Sequence, residues 1–86
     1  MLLQRSTRFK KQFIKLQHKI QIKTEERLNM LLVNEFSEIL NNHVLHGDYE
    51  NCRSINITGD MRIIYKKMRN NILYLLEIGT HNQLYE

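Results

Sequence analysis

Arg53-Ser-Ile-Asn-Ile-Thr-Gly-Asp-Met-Arg-Ile-Ile-Tyr65 is the stretch that decides the fold. Thr58-Gly59-Asp60 supplies the residue types that a tight turn favours, and the residues on either side alternate with the period of a half-buried strand. Two strands folded back on each other place Ile55, Ile57, Ile63 and Tyr65 on one face, with Ser54, Asn56, Arg62 and Lys66 on the other. Ile64 interrupts the polar face. A hairpin is marginal in water by itself, so the rest of the chain has to cover its apolar side.

Upstream, Leu2 and Leu3 fit a short first strand, and Ser6 is placed to cap a helix carrying Phe9, Phe13, Leu16 and Ile20 at spacings of four, three and four. Thr24 followed by Glu25, Glu26 and Arg27 reads as the start of a second helix, continued by Leu28, Leu31, Leu32 and Glu35. The two apolar stripes are the expected cover for the hairpin. Residues 36–51 read as a loop from their Asn, Gly and Asp content, anchored by Leu40 and Leu45. Downstream, residues 68–71 make a turn, and residues 72–78 form a near-continuous apolar run that predicts a central strand ended by Gly79. The tail 80–86 is polar and titratable, with Leu84 to pin it. A chain of 86 residues can bury one small core, which predicts a single domain over 1–86 of class α+β.

The net charge of +4 is unevenly spread. Residues 1–23 hold Arg5, Arg8, Lys10, Lys11, Lys15, Lys19 and Lys23 with no acid, and Arg53, Arg62, Lys66, Lys67 and Arg69 lie in a second basic segment whose one acid is Asp60. Two such segments favour a polyanionic partner, although charge alone also serves solubility. No apolar run approaches the roughly 20 residues needed to span a bilayer, so no membrane partner is expected. The opening Met-Leu-Leu-Gln-Arg-Ser-Thr-Arg has no apolar signal-peptide core, and the lone Cys52 has no partner for an internal disulfide. The expected setting is a reducing cytoplasm.

Chemistry has to come from few groups. His43-x-x-His46 is the one close histidine pair, and with a single cysteine it falls short of the ligand set of a zinc site, so no metal is expected. Cys52 at the start of a strand fits a small half-buried residue better than a nucleophile. The glycines at 47, 59 and 79 are scattered, which makes no phosphate-binding loop, and no cofactor is expected. What remains is His43, His46, Asp60, Arg62, His81 and Tyr85, a set of acid–base groups and cations suited to RNA cleavage. That reaction needs a base for the 2′-hydroxyl, an acid for the departing 5′-oxygen and positive charge on the phosphorane. Tyr85 serves equally well as a hydrophobic plug.

The run from Asn42 to Tyr65, with its His-x-Leu-x-Gly and Gly-Asp-x-Arg elements, followed by Gly79-Thr-His-Asn-Gln-Leu-Tyr85, resembles the RelE/ParE superfamily of toxins, and within it the YafQ-like branch. The resemblance is specific over residues 41–85 and generic over the helices. It implies a small antiparallel sheet with two N-terminal helices packed on one face. It implies a toxin of a type II toxin–antitoxin system that cuts mRNA on the ribosome without a metal and is silenced by a cognate antitoxin. By match to the family's positions, His43, Asp60 and His81 serve acid–base chemistry, Arg62 stabilises the scissile phosphate, and Tyr85 packs against or stacks on substrate. His46, Arg53, Asn56, Lys66, Lys10 and Lys11 are then the expected RNA-holding residues. Asn56 replaces a family histidine and cannot shuttle a proton near neutral pH. Met61 replaces a frequent aromatic, whose loss as a stacking platform would weaken RNA holding by ~1–3 kcal/mol. Two alternatives stay open: a ParE-like inhibitor of DNA gyrase, and a degenerate toxin that only binds its antitoxin.

Overall fold

The computed structural model of the protein describes residues 1–85, so Glu86 at the end of the expected tail lies outside the described residues. The hairpin forms as β3 (Arg53–Asn56) and β4 (Met61–Met68), with Asn56 opposite Arg62 and Ile55 opposite Ile63. Its turn includes Ile57, whose N–H donates to the Met61 carbonyl at 2.9 Å. Along β4 the other neighbour is β5 (Ile72–Thr80), antiparallel, and β5 pairs on its far side with β1 (Leu2–Arg5), parallel. With the two-residue edge strand β2 (His43–Val44) beside β3, the sheet order is β1-β5-β4-β3-β2. The expected α+β fold is therefore present, antiparallel throughout except at the β1–β5 edge. The apolar run 72–78 does sit inside the sheet, and the strand runs on through Gly79 to Thr80.

The helices are α1 (Thr7–Ile14) and α2 (His18–Val33). Ser6 caps α1 as its sequence predicts, its Oγ accepting from the Phe9 N–H at 2.9 Å. The helix boundaries that follow differ from the sequence expectation, and α2 ends at Val33, short of the expected Glu35. The stripe through Ile20 is broken after Ile14, and α2 starts at His18 rather than at Thr24, which is buried within α2 and donates to the Ile20 carbonyl at 2.7 Å. A threonine hydroxyl bonds back to the preceding turn as readily as it caps, so its type alone did not mark the boundary. Phe9, Phe13, Leu16 and Ile20 nonetheless all pack on the core, because the bend between the helices keeps the stripe on one side.

That core joins Phe9, Leu28, Leu31 and Leu40 to Ile55, Ile57, Ile63, Tyr65, Leu73, Leu75 and Ile78. Met61 belongs to it as well, at 9% exposure, which corrects the expectation that its side chain stands at an RNA-stacking position. Ile64 faces the opposite side of the sheet and is also fully buried, in a second small cluster with Cys52 and Leu84 against which Leu45, Tyr49, Leu76 and Tyr85 pack. The cover of this second face comes from residues 41–51 and from a short helix α3 (His81–Tyr85). The segment 36–51 holds 3-10 turns at Glu38–Leu40 and Gly47–Tyr49, and its changes of direction fall at Asn41, Gly47 and Asn51, all with positive φ. Among the described residues no helix is long and apolar enough to cross a membrane.

Candidate active site

The second face of the sheet carries a cleft of about 380 Å3 lined by Asn41, His43, Leu45, Arg62, His81 and Tyr85. Four of the five residues expected to act in catalysis thus meet in one place, although they come from β2, β4 and α3. A larger cavity of about 440 Å3 at the far end of the sheet is lined by Gln4, Met68, Arg69, Ile72 and Tyr74, and contains neither a histidine nor a carboxylate.

His43 is exposed on the edge strand, and its Nδ1 lies 2.9 Å from the Asn41 carbonyl oxygen. A carbonyl only accepts, so Nδ1 carries the proton and Nε2 of the neutral ring presents its lone pair. Arg62 is fixed from behind: its Nη1 lies 3.1 Å from the Gly59, 3.3 Å from the Met61 and 3.4 Å from the Thr58 carbonyl oxygens. The Thr58-Gly59-Asp60 hairpin turn therefore also holds the guanidinium. His81 opens α3, its backbone N–H donating to the Asp60 carbonyl at 3.2 Å. Asp60 itself is exposed and meets the site through its main chain.

Helix α3 is held by a reciprocal cap. Gln83 Oε1 accepts from the Thr80 N–H at 2.8 Å, and Thr80 Oγ1 accepts from the Gln83 N–H at 3.2 Å. Gly79 beneath it leaves no room to spare, since a Cβ there would stand 3.0 Å from Gln83 Oε1 and 3.2 Å from Leu84 Cδ2. The His81 and Tyr85 rings lie 4.7 Å apart with planes tilted by 55°. On the other side of Tyr85 a second cavity, of about 300 Å3, is lined by His46, Asp48, Tyr49 and Leu84.

The remaining expected residues divide. Asn56 lies across from Arg62 on β3, half-buried, and its Oδ1 has no hydrogen-bond partner among the described residues. Lys66 is exposed on the same face of β4, four residues beyond Arg62 and so roughly 13 Å along the strand. Arg53 points to the helix side, where its Nε donates to Asn42 Oδ1 at 2.7 Å and its guanidinium covers the Phe36 ring at 5.2 Å. Lys10 and Lys11 are exposed on α1, and neither lines the cleft. Sequence reasoning missed Asn41 and Tyr49, which no motif marks, and α3, which the Thr80-x-x-Gln83 capping pattern did mark. Among the described residues no three His, Cys, Asp or Glu side chains group closely enough to hold a metal ion.

A family model described as the bacterial toxin of type II toxin-antitoxin system, YafQ, matches residues 1–86. The chain belongs to the YafQ toxin family. It is similar in structure to YafQ from E. coli, with a TM-score of 0.76 at 24% identity over 98% of this chain and 97% of that one. The YafQ chain of the E. coli DinJ–YafQ complex matches at 25% identity and a TM-score of 0.72, over 98% and 97% of the two chains. A YoeB/ParE toxin from Agrobacterium tumefaciens shares the fold at a TM-score of 0.79 and 16% identity, over 94% of this chain and 99% of that one. No curated protein matches the sequence. For a YafQ-family toxin the fold and the resemblance read from residues 41–85 therefore agree, and the family extends over the N-terminal helices, where the sequence had carried only a generic likeness.

Proposed function

We propose that this YafQ-family toxin is an mRNA endoribonuclease that acts on the ribosome in the cytoplasm without a metal, as a single toxin domain over residues 1–86. The observation that carries the reading is the convergence of His43, Arg62, His81 and Tyr85 on one cleft from three separate elements. His43 Nε2 takes the 2′-hydroxyl proton as O2′ attacks the phosphorus, and His81 protonates the departing 5′-oxygen. The products are a 2′,3′-cyclic phosphate and a free 5′-hydroxyl. The N–H groups of Arg62 that the turn carbonyls leave over stabilise the phosphorane charge, and Tyr85 offers its ring to the neighbouring base. Two proton-transfer groups and one guanidinium meet the needs of the step, so none is left for a metal to fill. Asp60 acts by anchoring His81. His46, Asn56 and Lys66 hold the mRNA strand on this face, while Lys10, Lys11 and Arg53 contact ribosomal RNA from the outer surface.

The partner that silences the toxin is a cognate antitoxin. The structures of DinJ–YafQ from E. coli and of RelBE2 from Mycobacterium tuberculosis, both toxin–antitoxin complexes, support it. The test of the nuclease reading is primer extension on an mRNA in purified translating ribosomes. Wild type gives cuts that need the ribosome, His81→Ala gives fewer by a factor of about 100 or more while keeping its fold, and gyrase supercoiling is unaffected by either. A fully active His81→Ala protein contradicts the assignment.

A further inference from the structure

Tyr49 stands behind the cleft rather than in it. Its hydroxyl lies 2.6 Å from Glu77 Oε2 and 3.1 Å from the Leu84 carbonyl oxygen. The charged carboxylate takes most of that single proton, and the carbonyl shares it. The Tyr49 ring meets Tyr85 edge to face, with centroids 5.9 Å apart and planes at 88°. Tyr85 in turn faces the His81 ring at 4.7 Å. Glu77 is largely buried on β5, and Arg8 of α1 reaches its other oxygen, Nη1 to Oε1 at 3.6 Å. Burial, then the hydrogen bond to Glu77 and the Glu77 charge, push the Tyr49 phenol up to about 12, so it stays protonated and keeps donating.

Helix α3 needs such a contact. At five residues it is too short to persist by its own backbone bonds. The Thr80–Gln83 cap holds its first turn and Leu84 seats it on the small core, but neither gives the last turn, with its half-buried Tyr85 ring, a hydrogen bond to the sheet. A bridge from β5 to the last turn of the helix does.

We propose that Tyr49, held in place by Glu77, is a positioning residue for His81: it fixes the end of α3 and the Tyr85 ring against which the imidazole rests. The consequence for catalysis rests on the nuclease reading above; the consequence for His81 itself does not. Tyr49→Phe keeps the ring edge and removes the bridge. Glu77→Gln keeps an acceptor for the Tyr49 hydroxyl, and Glu77→Ala removes it.

The experiment compares these three variants with wild type by cleavage of ribosome-held mRNA, by NMR of the His81 ring, and by amide exchange across α3. Tyr49→Phe and Glu77→Ala are expected to lower kcat by roughly tenfold to a hundredfold with KM within about twofold, the cost of a small misplacement. Both shift the His81 ring signals, which the Tyr85 ring current sets, and speed exchange in α3, while Glu77→Gln restores most of each readout. His81 signals and α3 exchange that stay at wild-type values in both Tyr49→Phe and Glu77→Ala overturn the proposal. A wild type that cuts nothing removes the nuclease reading instead, and the NMR and exchange readouts then decide the bridge alone.

Discussion

Glu35, two residues past the end of α2, shows how one residue ties the chain leaving the helix layer to the sheet. Its carboxylate accepts from the buried Tyr65 hydroxyl at 2.6 Å and from Lys67 Nζ at 3.0 Å, and it is itself 9% exposed. Burial alone would raise its pKa; the hydrogen bonds from Tyr65 and Lys67, with the charges of Lys67 and Arg53, outweigh that and hold it below the ordinary carboxylate value of 4.5. A group whose folded pKa is depressed contributes stability that is present above its unfolded pKa and is lost as pH falls through the folded one. Glu35→Ala should therefore lower the unfolding free energy by about 1–3 kcal/mol at neutral pH, read as a shift in urea midpoint with an unchanged slope. The difference from wild type should shrink as pH drops below about 4.5. A deficit that holds constant to acid pH would mean that packing, not the carboxylate, does the work. In the sequence Glu35 was one more residue at helical spacing; what it bonds depended on Tyr65 and Lys67, thirty positions away, and was not legible there.

At the scale of elements, legibility followed pattern length. The hairpin and the apolar stripes were readable because each repeats a period, and the central strand β5 because its apolar run is nearly unbroken. The break at residues 15–17 was not, since Lys-Leu-Gln contains no breaker. Neither was the bulge that shifts the β4–β5 register between Ile64 and Tyr65, where β5 carries an extra residue at Leu76. Ile64 looked misplaced on a polar face because the sequence did not reveal the second small core that residues 41–51 and α3 build over it. Helix α3 spans little more than one turn, too little for a period, so its capping pair was the signal to use. Gly79 is where that helix touches the sheet. Gly79→Val should push α3 outward, with a stability loss of about 1–3 kcal/mol from overpacking and a loss of cleavage of about tenfold or more. A thermal melt run beside the ribosome assay separates the two effects, and a Gly79→Val protein of full activity would show that the seat of α3 does not govern the site.

Over the whole molecule, two sides are divided by one sheet. One side is a helix layer over the larger core; of its seven early cations, Arg5 pairs with Glu25 and lies over Phe9 and Phe13, Arg8 meets Glu77, Lys10, Lys11, Lys15 and Lys19 are exposed, and Lys23 is half-buried. The basic segment read from the sequence is thus partly spent on structure, and the lysines are what remains for a polyanion. The other side holds the cleft with His43, Arg62, His81 and Tyr85. The sequence located these four by resemblance, and the topology supplies the reason they meet: β2 and β4 flank β3, and β5 delivers α3 over the end of β4. The central claim is that this cleft cuts RNA through the 2′-hydroxyl. It is tested most directly by programming ribosomes with an mRNA carrying a single 2′-deoxynucleotide at the mapped cut site. The account predicts that this site is spared while the all-ribose message is cut there; cleavage of the deoxy site at the all-ribose rate would contradict it.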